Sequence, residues 1–271
     1  MEPQISIFSL EHLEAANRGE EGLVQVEKMI LLLGNKPPAE QQITLLRQAI
    51  GSYSEASVRI RGLEKTLATL DKFPGMDPAN QALLTWLKIQ KVIVLQESRK
   101  KMEKDSPEYA AVEAQIAAVF EDLRLFEKRN LSEFALQQIG IYFSGTDNPF
   151  LAVPYFEELL ARTNPEADPF KGPAEMELGK IEMRSPEAAK VQSARERFRR
   201  IIDKYKDKDL IPDAYLNLAD LHIKAKEWKD ALTALDVINK QKDFFGKQRE
   251  KRAEAGFKMG LVLDELGEPA S

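Results

Sequence analysis

Cysteine is absent from the 271-residue chain, which removes disulfide bonds, thiolate nucleophiles and Cys-ligated zinc together. Histidine is almost as scarce. The sequence holds His12 and His222, far apart and outside any H-E-x-x-H arrangement, so no histidine-based metal site is expected. No G-x-G-x-x-G, P-loop or G-x-S-x-G sequence occurs, which leaves neither a phosphate cradle nor a nucleophile elbow. The carboxylates fall mostly in mixed helical runs such as Glu157-Glu158 and Glu250 to Glu254, the pattern of a solvated face. These absences argue against an enzyme, and no cofactor or metal is expected. Long apolar runs are missing too. Met29 to Leu33 and Val92 to Leu95 fall far short of the roughly 20 residues that span a bilayer. The first residues, Met1 to Ser6, show neither a basic nor an apolar leader region, so no secretory signal is read there.

Charge of one sign is also lacking. The formal net charge is -5, and nucleic-acid binding usually needs a concentrated basic face. Residues 181 to 258 nevertheless hold 19 Lys and Arg against 14 Asp and Glu. Arg195, Arg197, Arg199, Arg200, Lys204, Lys206 and Lys208, with Lys240, Lys242, Lys247, Arg249, Lys251 and Arg252, form the basic face. Glu196, Asp203, Asp207 and Asp209 interrupt it, so a solvated helix face is the preferred reading over a phosphate track.

Apolar residues recur at helical spacing almost throughout, with no convincing run of alternating β-branched residues. The fold class is therefore all-α. Pro and Gly mark turns at 34–38, 73–78, 105–107, 144–149, 164–173, 207–212 and 244–246. Asp77-Pro78, Ser106-Pro107 and Asn148-Pro149 each place a capping side chain before a proline suited to the first helical position. Short helices are expected near 9–17, 22–33, 39–52 and 56–72. Two long antiparallel helices follow, near 79–103 and 107–128, packed through Leu83, Trp86, Leu87, Ile93 and Leu95 against Ala111, Ile116, Val119, Phe120, Leu123 and Phe126. A boundary near Asn130 divides the chain into N-terminal hairpins, 1–130, and a repeated region, 131–271.

The repeated region has a register. Leu136-x2-Ile139-Gly140 is followed by Ala152-x3-Phe156; Leu178-Gly179 by Ala194-x3-Phe198; Tyr215-x2-Leu218-Ala219 by Ala231-x3-Leu235; and Met259-Gly260 by Gly267 at the next turn. A small residue lets two helices approach, and an Ala plus a large side chain on the second helix closes the contact. The pattern resembles the tetratricopeptide repeat, which implies antiparallel helical hairpins stacked as an α-solenoid. The small anchors stand 39, 40 and 41 residues apart, longer than the usual repeat of about 34. Elongated units resemble the tetratricopeptide scaffolds of bacterial outer-membrane assembly lipoproteins and Tol-Pal accessory proteins. That resemblance implies a periplasmic or envelope-associated place rather than a cytoplasmic one. The last repeat reads as incomplete, which fits a piece of a longer array and leaves self-association there open.

A repeat of this kind implies a scaffold or adaptor that holds a peptide or helix in the groove lined by successive first helices. Carried over by position, the groove residues are Gln137 and Ile141, then Met176, Lys180 and Met183, then Leu216, Asp220 and Ile223, then Phe257 and Leu261. Each of these can equally pack between repeats. Gln137 and Ile141 stand where a Lys/Asn carboxylate clamp would need Lys and Asn, so that use is not expected. His222 is expected to pack in the third repeat, and Lys224 to lie on the outer side. The alternative function is a nucleic-acid-associated or regulatory adaptor working through the basic face.

Overall fold

The computed structural model describes residues 18–34, 40–73, 81–205, 209–240 and 249–267. Among these every regular element is helical, with no strand. The α-helices are α1 (Gly19–Gly34), α2 (Glu40–Arg61), α3 (Leu63–Leu70), α4 (Gln81–Arg99), α5 (Pro107–Arg124), α6 (Glu133–Ser144), α7 (Val153–Ala161), α8 (Asp168–Glu182), α9 (Ala188–Lys204), α10 (Leu210–Lys224), α11 (Trp228–Lys240) and α12 (Arg249–Leu266). None of the described helices is long and apolar enough to cross a membrane. The chain divides into two compact units, Met1–Ile139 and Gly140–Ser271.

In the first unit, Leu23, Val26 and Ile30 of α1 meet Leu46, Ile50 and Tyr53 of α2 in a buried core that Leu70, Phe73 and Leu87 complete. The Tyr53 and Phe73 rings meet edge to face, 5.3 Å between centroids. The expected break near 52–56 is absent. Tyr53 and Ser54 are buried inside α2, and the Ser54 hydroxyl donates to the Ile50 carbonyl at 2.7 Å, which satisfies it without leaving the helix. The chain breaks instead at Gly62, where φ is 84°, a conformation that favours glycine. Ser106 caps α5 as expected, its hydroxyl accepting from the Tyr109 amide at 3.1 Å. Leu87, Leu95, Ile116, Val119, Phe120 and Leu123 are buried, but Val112 takes the core place expected of Ala111, which is exposed. The helix expected at 9–17, the Asp77-Pro78 start and the side chain of Leu83 lie outside the described residues.

In the second unit the register of small anchors organises the packing. A Cβ built on Gly140 would stand 2.6 Å from the Phe156 ring, and one on Gly179 would stand 2.6 Å from the Phe198 ring. Ala152, Phe156, Ala194, Phe198, Ala231 and Leu235 are all buried. Both members of the pattern are therefore contact residues. Asn148 makes no side-chain cap, because a 3-10 turn at Pro149–Ala152 precedes α7. The expected turn at 164–173 is shorter, since α8 starts at Asp168 and contains Pro173. Its first-turn amides have no helical partner in any case. Pro173 forgoes one bond, and the burial of Ala174, Met176 and Leu178 just beyond it favours the helix. Pro212, in contrast, sits in the first turn of α10 and costs no helical bond. The turn after α12 has Gly267 at φ 72°, again a glycine conformation.

Candidate protein-binding groove

Helices α8 and α10 lie side by side as first helices of successive hairpins. Between them runs an open groove of about 680 Å³, lined by Lys180, Met183, Arg184, Asn217, Asp220, Leu221 and Lys224. The groove joins three sequence-predicted residues, Lys180, Met183 and Asp220. Counting from each small anchor gives the geometric rule. Positions one after it, Ile141, Lys180, Asp220 and Leu261, are exposed or half-buried, as are Met183 and Ile223 four after it.

Positions three before the anchor behave differently, and here the expectation is corrected. Met176 is 2% exposed and packs with Ala194, Phe198, Ala214 and Leu218; Leu216 is 6% exposed and packs with Ala219, Leu235 and Ala255. Both are core residues, because each succeeding hairpin covers that flank of the helix before it. Gln137, the same position in the first copy, is half-buried. Phe257, the same position in α12, is 69% exposed. Lys224 also departs from its expected place, lining the groove rather than the outer side. Arg184, Asn217, Leu221 and Lys224 are the lining residues that sequence reasoning missed, and Arg184 and Lys224 both stand five after their anchors. Their shared position was the available signal.

The groove is cationic where it is free. The Lys180 ammonium reaches Glu177 at 2.8 Å, and Asp220 is held by Lys258 at 2.6 Å. Burial opposes the charge on Lys258, but hydrogen bonds to Asp220 and Glu254 outweigh it and hold the ammonium above the ordinary lysine range. Arg184 and Lys224 are exposed and make no ion pair among the described residues. Half-exposed Met183 thus lies beside two uncompensated cations, above buried Leu221 of the core.

A second hollow, of about 460 Å³, opens between α9, α10 and α11. There the buried His222 places Nδ1 2.6 Å from Glu227 Oε2, and Arg195 Nη1 reaches the same oxygen at 2.8 Å. Hydrogen bonds from Arg195, and then His222, hold the Glu227 carboxyl below its usual range. The resulting stabilisation is present at neutral pH and is lost as pH falls through the depressed value. Ligand atoms of His222, Glu227 and Asp230 lie within 4.8 Å of one another. A metal there would meet the guanidinium already bound to Glu227, and the pairing locks the α10–α11 turn, where Lys226 has φ 60°.

The basic face is dispersed by ion pairs. Arg197 is bound to Glu175 and Glu182, Arg200 to Glu175, Lys240 to Asp236 and Lys251 to Asp213. Lys206, Lys208, Lys242 and Lys247 lie outside the described residues.

The helical hairpins define a helical-repeat architecture. A tetratricopeptide-repeat family model matches residues 213–241, the stretch that contains most of α10 and all of α11, so the third copy of the register is similar to a tetratricopeptide repeat. The chain matches no curated protein.

Proposed function

We propose that the protein is an interaction scaffold whose α8–α10 groove receives a peptide or helix of a partner protein. The observation that carries this reading is the placement of half-exposed Met183 between the exposed cations Arg184 and Lys224 in the groove. Met183 offers an amphipathic segment an apolar contact, and the flanking cations favour acidic groups beside it. The matched repeat is of a kind consistent with a protein-binding adaptor. The more specific form of the proposal is a bacterial envelope complex, supported by the elongated anchor spacing of 39 to 41 residues.

The test is affinity capture from lysate of the native organism, with helix content and melting measured on the same samples. A Met183→Ser, Arg184→Glu, Lys224→Glu variant is expected to lose its partner while keeping fold and melting midpoint, since all three side chains line the groove and are at least partly exposed and a few anchors dominate most interfaces. Leu216→Ala is the contrasting variant. It removes core and is expected to cost about 2 to 5 kcal/mol of stability. Undiminished capture by the folded triple variant would place the binding surface elsewhere.

A further inference from the structure

The α8–α10 groove does not end at α10. Its lining residues Leu221 and Lys224 also line a second hollow, of about 400 Å³, which Ala188, Val191 and Gln192 of α9 close from the other flank. Arg184 at the end of α8 lines the first hollow and Ala188 at the start of α9 lines the second. The two are therefore joined along the α8–α9 turn and across the last turn of α10. In the second hollow Ala188, Gln192 and Ala225 are exposed and Val191 is half-buried, and none of the lining residues is aromatic.

Most charges that line the two hollows are compensated within the fold. Lys180 is held by Glu177, Asp220 by Lys258, and Arg195 by Glu227. Arg184 and Lys224 are the lining charges without an ion pair among the described residues. Exposed or half-buried acids and bases on the adjoining turns and helices balance in number, Glu187, Glu196 and Asp230 against Lys190, Lys226 and Lys229. The surface is thus cationic where the hollows meet, at Lys224.

We propose that the partner segment is an extended acidic peptide, which runs from the α8–α10 groove across the last turn of α10 into the α9 hollow with a carboxylate at Lys224. This rests on the reading of that groove as the binding surface, and adds the conformation of the occupant and the second half of its path. The path follows two flanks of one helix end. A helix about 10 to 12 Å across keeps a single axis and follows such a bend only when broken, whereas an extended chain turns at every residue. Charge sets the acidic character, since Arg184 and Lys224 are the groups left to pair. A nucleic-acid strand fits less well, because the hollows offer no ring on which bases could stack.

The test selects a displayed library of random peptides, about 12 residues long and so about 40 Å when extended, on the full chain and measures the recovered peptides by fluorescence anisotropy. They are expected to be enriched in Asp and Glu, and to bind at least about tenfold more weakly to Lys224→Glu and to an Ala188→Glu, Gln192→Glu variant. Both positions of the double variant are exposed, and glutamate suits the start of a helix, so its melting midpoint should match the parent's. Recovery of no acidic peptide would overturn the proposal. So would peptides whose circular dichroism turns helical on binding. Undiminished binding to the double variant with loss on Lys224→Glu would confine the peptide to the groove, overturning the longer path and leaving the groove reading intact. Undiminished binding to Lys224→Glu itself would count against both. A random single-stranded oligonucleotide that displaces the peptides from the parent, and loses affinity on Lys224→Glu, would make the surface a phosphate track and overturn the proposal as well.

Discussion

Gly179→Ala is expected to destabilise the protein while Gly260→Ala stabilises it, although both glycines lie in helix interiors. The ordinary effect of this change is favourable by roughly 0.5 to 1 kcal/mol, since glycine loses more backbone freedom on helix formation. Gly260 should show that gain, because its new methyl group enters open space. At Gly179 the Cβ would lie 2.6 Å from Cε1 and 2.8 Å from Cζ of Phe198. The ring is wholly buried, packed among Met176, Ala194, Ile201 and Leu218. Overpacking of this kind costs about 1 to 3 kcal/mol, enough to reverse the propensity gain. Gly179→Leu should cost more, and Gly140→Ala should behave like Gly179→Ala, since Phe156 stands equally close. Urea denaturation of the single variants measures all of these. The same sign at Gly179 and Gly260 would show that the two positions are not equivalent in the repeat.

The hairpin contacts were legible in the sequence because they are local and periodic. A small residue on one helix and Ala-x3-Phe on the next specify both sides of a contact within some 20 residues, and Gly140, Phe156, Gly179 and Phe198 meet as that pattern requires. What the pattern does not carry is which flank of a first helix the next hairpin covers. Met176 and Lys180 are one turn apart and both suit a groove, yet Met176 is in the core and Lys180 at the surface. Helical spacing assigns residues to a stripe, and the stripe is wide enough to hold both. Lys224 was misplaced for the converse reason: a lysine fits either a solvent face or a groove edge. In the first unit the break expected between 52 and 56 is absent, and buried Ser54 is satisfied by its own helix. The ion pairs of α8 and α9 were beyond reach, since Glu175, Glu182 and Arg197 come together across 15 to 22 residues and nothing in their spacing marks them.

That ion cluster gives the other large effect. Arg197→Met is expected to cost about 3 kcal/mol, although methionine fits an apolar helix interface well. The guanidinium donates to Glu182 at 2.9 Å and to Glu175 at 2.7 Å, and the side chains of the two carboxylates are only 9% and 3% exposed. Burial works against the charge on Arg197, but its hydrogen bonds to Glu182 and Glu175 outweigh that and raise it above the ordinary arginine range. Taking away the cation leaves two buried anions on α8, both facing α9 without their main partner. Removing one partner of a buried pair typically costs about 3 to 5 kcal/mol, because the remaining charge is uncompensated. The value should fall at the lower end here, since Arg200 still reaches Glu175 at 2.9 Å from a half-exposed position. The desolvation argument makes a second, sharper statement. Replacing the anions as well, as Arg197→Met with Glu175→Gln and Glu182→Gln, should recover most of the loss, because no unpaired buried charge remains. Denaturation midpoints of the single and triple variants decide the matter. A triple variant less stable than Arg197→Met alone would mean that the carboxylates stabilise the hairpin through contacts other than this arginine.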